Sequence, residues 1–320
     1  MKSGLKIGMV QDKPALLHLE KSLEHLQTRV QEAAAEKVDL LVFGETFLTG
    51  YPAWLDHGRE VAHWSHPAVK RMYSQMMQQG ITVPGPETEL IAQLAAQHQM
   101  VIAIGIHERV TKGPGNGTLF NGLLLFDADG SLLLHHRKLV PTYTERLVHG
   151  PGDGFGLQAV DTAIGRIGGL ICWEHWMPLS RQALHDSGED IHLALWPSVH
   201  EMHQIASRHY AFEGRCFVVA VGQLLQAKEL PGDLSYTEPP ELLPESWVMN
   251  GQSCVIGPDG QFIRQPELHT AGILTCTLPG EEALFAERMT LDVSGHYQRR
   301  DVFHFSVNRK RLTDDGEVTP

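Results

Sequence analysis

The sequence has few cysteines and no long apolar run, and both absences limit what the protein can be. Four cysteines in 320 residues, with no Cys-x-x-Cys pair, are too few and too scattered for a disulfide framework or a cysteine zinc site. No apolar stretch is long enough for a membrane span, and the N-terminal residues lack the apolar region of a secretory signal. We therefore expect a cytoplasmic protein with reduced thiols and no membrane partner.

Positive charge is also scarce. The chain carries 26 Lys and Arg against 38 Asp and Glu, which gives a formal net charge of −12. Binding to nucleic acid requires a basic surface, and the only basic cluster is the short Arg309-Lys310-Arg311. We expect a small-molecule substrate and no nucleic-acid partner.

Several common catalytic motifs are missing. No Gly-x-Ser-x-Gly elbow occurs, which excludes the usual serine hydrolase. His200-Glu-Met-His203 is one residue shorter than the zinc motif His-Glu-x-x-His, so we expect no catalytic metal. The glycine-rich residues Gly150 to Gly156 lack both Gly-x-Gly-x-x-Gly spacing and a following helix. The sequence therefore predicts no metal and no phosphate-binding loop.

The sequence does contain a regular alternation of strand and helix patterns. Leu5 to Gln11 and Asp39 to Phe43 are typical of strands, and Ala15 to Lys37 between them has leucines at helical spacing. Two similar hairpins follow, one over residues 119–136 and one over residues 254–264. These patterns predict an α/β protein in which helices cover two sheets of similar construction.

Four reactive residues lie at or near the ends of predicted strands. Glu45, Lys138 and Cys172 each follow a strand directly, and Glu145 follows Lys138 after a proline turn. In isolation Cys172 could equally be a structural thiol, and the charged residues are more often solvated at the surface. Their shared position favours an active site, because loops at strand ends gather functional groups over a rigid sheet.

Aromatic residues close to these strand ends are candidates for a substrate pocket. We predict that five residues contact the substrate: Tyr51, Trp54, Trp173, His175 and Trp196. The alternative is that such rings belong to the core, where aromatic residues are common. The proline-rich residues 230–247 form a long connection that we expect over the site or at an interface.

Several segments together resemble a known family. They are Phe43-Gly-Glu45, His136-Arg-Lys138-Leu-Val-Pro-Thr, Glu145-Arg and Gly169-Leu-Ile-Cys172-Trp-Glu-His-Trp-Met-Pro-Leu. They are similar to the carbon–nitrogen hydrolases of the nitrilase superfamily, and Cys-Trp-Glu followed by Met-Pro-Leu is similar to its nitrilase branch. The resemblance implies a four-layer αββα sandwich, with residues 1–305 as one domain and residues 306–320 as a C-terminal tail.

The resemblance also implies a function. Cys172 would be the nucleophile, Glu45 its general base and Lys138 the stabiliser of developing negative charge, while Glu145 would keep Lys138 protonated and position water. The reaction would convert a nitrile to its carboxylic acid and ammonia, and the aromatic residues favour an aromatic or arylaliphatic nitrile. The family implies no cofactor, and it implies a homodimer or a larger spiral homo-oligomer. An amidase and a catalytically silent binding protein remain the alternatives.

Three residues depart from the family pattern. Gly44 replaces a common proline before Glu45 and predicts a looser loop, His149 stands in place of a common tryptophan, and Arg300 stands in place of a late proline. None of them is a catalytic position. They bear on substrate range and assembly rather than on reaction type.

Overall fold

The computed structural model describes residues 1, 3–113, 115–232, 234 and 243–311. Its strands in chain order are β1 (Lys6–Gln11), β2 (Leu40–Phe43), β3 (Val101–Arg109), β4 (Leu119–Phe126), β5 (Leu132–Arg137), β6 (Val160–Thr162), β7 (Gly165–Ile171), β8 (Ile191–Leu195), β9 (Phe217–Val221), β10 (Leu224–Gln226), β11 (Trp247–Asn250), β12 (Cys254–Ile256), β13 (Phe262–Arg264) and β14 (Gly272–Thr277).

The α-helices are α1 (Leu19–Ala35), α2 (Trp54–His57), α3 (Pro67–Gln79), α4 (Pro86–His98), α5 (Pro178–Ser187), α6 (Glu201–Gly214) and α7 (Glu281–Arg288). Short 3₁₀ helices cover Tyr143–Leu147, Cys172–Trp176 and Ala227–Glu229. Helix α1 begins later than the sequence pattern predicts, because the His18 side chain accepts the Lys21 N–H and caps the helix there. None of the described helices is long and apolar enough to cross a membrane.

Two six-stranded sheets form the centre of the molecule. Their strand orders are β14-β1-β2-β3-β4-β5 and β13-β12-β9-β8-β7-β6. Each sheet has three parallel strands, β1-β2-β3 in one and β7-β8-β9 in the other, flanked by antiparallel strands. The predicted hairpins are β4–β5 and β12–β13, one in each sheet. The two sheets are therefore built alike, as predicted.

Successive side chains along a strand point to opposite faces of its sheet, and this alternation explains the layers. On β2, Leu40 and Val42 belong to the core between the sheets, whereas Leu41 and Phe43 face α1 and α4. The sheets approach closely at Gly169, where an added Cβ would lie 2.7 Å from a methyl carbon of Leu123. Helices α5 and α6 pack on the far face of the second sheet. The result is the predicted four-layer αββα sandwich.

Two predictions concern segments that the structure describes only in part. Within the proline-rich connection over residues 230–247, positions 233 and 235–242 lie outside the described residues. Of the C-terminal segment, residues 306–311 are described: Val307 packs against the core and the Arg309 guanidinium donates to the Leu157 carbonyl group. The domain boundary at residue 305 stays a prediction.

Candidate active site

The two sheets bring three strand ends to one place. Glu45 follows β2 and Lys138 follows β5 of the first sheet, and Cys172 follows β7 of the second sheet. Cys172 has a φ of 54°, in the left-handed region, where the strand turns sharply into the 3₁₀ helix Cys172–Trp176. Glu145 lies in the 3₁₀ helix Tyr143–Leu147. The structure therefore brings together all four predicted catalytic residues.

Lys138 joins the two carboxylates of the site. Its Nζ lies 2.8 Å from Glu45 Oε1 and 2.9 and 2.8 Å from the two oxygens of Glu145. The three side chains are fully shielded from solvent, so these ion pairs are buried. Asn121 donates a further hydrogen bond of 2.7 Å to Glu45 Oε1, and the Tyr51 hydroxyl donates to Glu145 Oε1 at 2.9 Å. The two glutamates are thus fixed in orientation.

Cys172 lies beside this cluster. Its Sγ and one oxygen from each of Glu45 and Glu145 all lie within 4.8 Å of one another. Glu45 Oε1 receives the bonds from Lys138 and Asn121, whereas Glu45 Oε2 is buried and has no hydrogen-bond partner among the described residues. Glu45 Oε2 is therefore the oxygen that is free to accept a proton.

Burial and charge set the protonation states of the site. Burial raises the pKa of Glu45 to about 7, against the opposing effect of the Lys138 charge, and the Glu145 charge raises it further. Burial lowers the pKa of Lys138, but Cys172, Glu45 and Glu145 in their ionised forms outweigh burial and raise it. Burial and the Glu45 charge hold the pKa of the Cys172 thiol well above its usual range. Near neutral pH the site therefore combines a neutral thiol, a fixed ammonium and a carboxylate that readily exchanges a proton.

These groups suit covalent catalysis. A thiol that is protonated at rest needs a nearby base, and a carboxylate with a pKa near the working pH is an effective one. A buried ammonium can stabilise negative charge that develops on a substrate atom. The same acidic groups and thiol are close enough to hold a metal ion, but Lys138 Nζ already donates to both carboxylates. The donor set therefore fits an ammonium better than a metal ion.

A cavity of about 350 Å³ opens above Cys172. Cys172 and Glu145 line it, Tyr51 and Trp173 form part of its wall, and Trp173 is 55% exposed. The cavity is also lined by residues that the sequence analysis did not predict as substrate contacts, among them His57, Tyr143, His203 and Met249. A cavity of this size accommodates a small organic molecule.

Three of the five predicted substrate contacts do not line this cavity. Trp54 lies in a hydrophobic cluster with Leu55 of α2, only 2% exposed. Trp196 is fully buried because its ring is stacked between His175 and His203, with centroid distances of 4.6 and 4.4 Å. His175 is also buried and is held by hydrogen bonds within the core. Tyr51 and Trp173 are the two predicted contacts that the structure brings to the cavity.

One supporting residue of the site was not predicted. The Glu174 carboxylate accepts hydrogen bonds from the backbone N–H groups of Ile171 and Leu139, both at 2.8 Å, and lies 2.9 Å from His136 Nε2. Ile171 precedes Cys172, and Leu139 follows Lys138. Although burial alone would raise the pKa of Glu174, the charge and hydrogen bond of His136 and the two N–H groups lower it. A single buried carboxylate thus joins the loop of the thiol to the loop of the lysine.

The sequence contained only partial signals for such supports. Glu174 belongs to the Cys-Trp-Glu segment, and Asn121 is a polar residue in the apolar strand β4, which is a detectable irregularity. Gln223, whose side chain donates to the Glu45 carbonyl group, has no comparable signal because its partner lies 178 positions away in the sequence.

The three departures from the family pattern have distinct surroundings. Gly44 is buried, and an added Cβ would lie 2.9 Å from Gln223 Cγ, so its loop is closely packed rather than loose as expected. His149 is buried next to the turn of Glu145 and lies 2.9 Å from His107, nitrogen to nitrogen. Arg300 is exposed in the C-terminal segment and donates to the Gln298 side chain.

Comparisons with known proteins find relatives over nearly the whole chain. The carbon–nitrogen hydrolase family model matches residues 6–283. The chain is 36% identical to Nitrilase 2 of an unknown prokaryotic organism, over 98% of this chain and 96% of the relative. It is 34% identical to the aliphatic nitrilase of Sinorhizobium fredii, over 95% of this chain and 96% of the relative. A solved carbon–nitrogen hydrolase from Helicobacter pylori G27 superposes with a TM-score of 0.70 at 18% identity, over 93% of this chain and 96% of that chain. At that identity the structural likeness concerns the fold alone.

Proposed function

We propose, since this chain belongs to the carbon–nitrogen hydrolase family and to its nitrilase branch, that Cys172 hydrolyses a nitrile to the carboxylic acid and ammonia. The observation that carries this proposal is the position of the Cys172 thiol beside the buried ion pairs of Lys138 with Glu45 and Glu145. No cofactor takes part, because the steps need only a nucleophile, a base, a cation and water.

The first step forms a covalent bond. Glu45 Oε2 takes the thiol proton as Cys172 Sγ bonds to the nitrile carbon, and one π bond of the nitrile becomes a nitrogen lone pair. Lys138 and the backbone N–H of Trp173 stabilise the negative charge on that nitrogen. Glu45 then returns the proton to the nitrogen. The product is a neutral thioimidate on Cys172.

Two water molecules complete the reaction. The first water adds to the thioimidate carbon, a proton reaches the nitrogen, and ammonia leaves as the carbonyl group of a thioester forms. The second water adds to the thioester and expels the Cys172 sulfur, which regains its proton as the carboxylic acid departs. Glu145 holds Lys138 in its charged form throughout, since both of its oxygens face the ammonium. The further role of Glu145 in positioning water comes from the family resemblance. The balance is one nitrile and two waters for one acid and one ammonia.

Tyr51 and Trp173 support a preference for aromatic or arylaliphatic nitriles. Stacked rings gain on the order of 1 kcal/mol beyond the burial of their surface. One relative is described as an aliphatic nitrilase, so substrate preference needs a direct comparison. Rates with phenylacetonitrile should exceed those with short aliphatic nitriles. Faster turnover of the short nitriles would refute the preference while leaving the reaction type intact.

The reaction type is tested with matched nitrile and amide pairs, by measuring acid, amide and ammonia. We expect the nitrile to yield acid and ammonia in equal amounts and the amide to be a poor substrate. Efficient amide hydrolysis with an inert nitrile across several pairs would favour the amidase alternative. Inert nitriles and amides together would favour a silent binding protein.

We also propose that the protein forms a homodimer or a larger spiral homo-oligomer in the cytoplasm. Helices α5 and α6 expose large apolar side chains, including Leu179, Met202, Ile205 and Phe212. Exposed apolar groups on neighbouring helices are typical of association surfaces. Light scattering of the purified protein measures the mass of the assembly. An Ile205→Glu variant should form a smaller assembly than the parent protein. The cytoplasmic location is supported by the four free cysteines.

A further inference from the structure

A second buried polar cluster leads away from the carbonyl group of Cys172. His175 Nδ1 lies 2.7 Å from that oxygen, and His175 Nε2 lies 3.0 Å from His192 Nε2. His192 Nδ1 lies 2.8 Å from Glu189 Oε1, and the Tyr210 hydroxyl donates to Glu189 Oε2 at 2.5 Å. All four side chains are buried, so they must satisfy one another.

The positions of the protons follow from the carbonyl group, which can only accept. His175 Nδ1 must therefore donate, and in a neutral ring its Nε2 must accept. His192 Nε2 is then the donor to His175, which leaves His192 Nδ1 as an acceptor. The remaining partner, Glu189 Oε1, must supply a hydrogen and is accordingly a carboxylic acid. The cluster is one hydrogen-bond chain with a single direction, from Glu189 to the Cys172 carbonyl group.

The surroundings favour this neutral arrangement over a charged Glu189–His192 pair. Burial raises the pKa of Glu189 to about 7, although His185 and Tyr210 oppose the shift, and burial holds the pKa of His192 well below its usual range. A neutral acid and a neutral imidazole also avoid the cost of burying two separated charges. The titratable or charged groups that face Glu189 are His185 of α5, His192 of β8, Tyr210 of α6, Asp190, Cys216 and Arg288 of α7.

The Cys172 carbonyl group shares a rigid peptide plane with the Trp173 N–H group. Because that plane is fixed, a hydrogen bond that orients the carbonyl group also orients the N–H group in the opposite direction. The Trp173 N–H lies in the first turn of a 3₁₀ helix, where N–H groups have no partner within the helix. It is the group that the proposed reaction uses beside Lys138.

We infer that the Glu189–His192–His175 chain is a positioning device that aims the Trp173 N–H at the reacting nitrogen, and that it works only while Glu189 is a protonated acid. This inference rests on the proposed role of Cys172 as nucleophile. If Glu189 loses its proton, the hydrogen of His192 shifts from Nε2 to Nδ1, where it is donated to the Glu189 carboxylate. Two bare nitrogens then face each other between His192 and His175. His175 must release the Cys172 carbonyl group, and the rate should fall.

Neutron diffraction of deuterium-exchanged crystals at mildly acidic pH tests the proton order without any turnover. We expect deuterium on His175 Nδ1, on His192 Nε2 and on the Glu189 carboxyl group. Deuterium on His192 Nδ1 beside a bare Glu189 carboxylate would overturn the inference. Because this measurement needs no substrate, it stands or falls separately from the proposed nitrile hydrolysis.

A matched pair of variants tests the function of the chain. In Glu189→Gln the amide N–H can donate to His192 and the amide oxygen can accept from Tyr210, so the chain persists and can no longer ionise. Glu189→Met has similar length but no polar group. We expect Glu189→Gln to keep most of the kcat and to lose the alkaline fall in rate, and folded Glu189→Met to lose about tenfold or more in kcat with little change in KM. Equal kcat in both variants, or an alkaline fall that persists in Glu189→Gln, would overturn the inference.

Discussion

Glu45 and Glu189 are both buried carboxylates whose pKa burial raises to about 7, yet their neighbours differ. Glu45 contacts the Lys138 ammonium and faces the thiol. Glu189 contacts a hydroxyl group and an imidazole in the sealed core. Glu45 must lose its proton to work as a base, whereas Glu189 must keep its proton to hold the hydrogen-bond chain. A raised pKa therefore does not by itself identify a catalytic acid or base, because the adjacent groups decide what the carboxyl group does.

The largest expected difference between the two clusters concerns their cysteines. Cys172 lies in the charged cluster, and Cys216 is buried near Glu189 in the neutral one. Cys172→Ala should lower turnover on the order of 10⁴-fold or more without unfolding the protein, because it removes the sulfur that we propose as the nucleophile. Cys216→Ala should lower the melting temperature and leave most of the activity. Assays and thermal unfolding of both variants check this, and comparable activity losses would break the distinction.

Glu145 gives the next largest effect. Glu145→Gln keeps the shape of the side chain but removes the negative charge that faces Lys138 with both oxygens. We expect kcat to fall on the order of 10²-fold or more with little change in KM, since the loss concerns charge stabilisation in the transition state. Steady-state kinetics measure both constants. An unchanged kcat would remove Glu145 from the reaction and leave Lys138 supported by Glu45 alone.

The pH dependence separates the two glutamates. Because the proposed base Glu45 must be ionised to accept the thiol proton, kcat should fall about tenfold for each pH unit below about 7. The same group has the opposite effect on stability: because its folded pKa is raised, the folded state binds the extra proton, and stability falls as pH rises from the ordinary value toward 7. Ionisation of Glu189 should limit the rate on the alkaline side. A pH–rate profile and a pH series of melting curves check both signs, and a rate that rises as the pH falls below about 7 would contradict the assignment of Glu45.

Glu174 is expected to have a smaller effect on catalysis. It lies outside the cavity and joins the backbone of Ile171 to that of Leu139. Glu174→Gln weakens charged hydrogen bonds that are each worth about 1.5–3 kcal/mol, so the melting temperature should drop clearly and kcat should fall about tenfold or less. Glu201→Gln, at an exposed position in the first turn of α6, is the control. A Glu174 variant that matched this control would show that the two loops need no such link.

The layers of the fold and the positions of the four reactive residues could be predicted from the sequence for clear physical reasons. Strand and helix periods are local, and a polar residue after an apolar strand marks a strand end, as at Glu45 and Cys172. The orientation of rings is not local: Trp196 follows a strand end but stacks between two histidines in the core. The role of His175 depends on His192 and on the proton of Glu189, which no residue pattern encodes. Residue patterns therefore locate strand ends, but they do not show which side chains distant partners turn inward.

The most direct test of the central claim is mass spectrometry of the enzyme quenched with acid during turnover of a nitrile. We expect an added acyl or imidoyl group on the peptide that contains Cys172. This group should be absent from the Cys172→Ala variant and from the peptides of Cys216, Cys254 and Cys276. The adduct should disappear when the nitrile is consumed. Ammonia formation by the Cys172→Ala variant, or an adduct on another cysteine, would show that Cys172 is not the nucleophile.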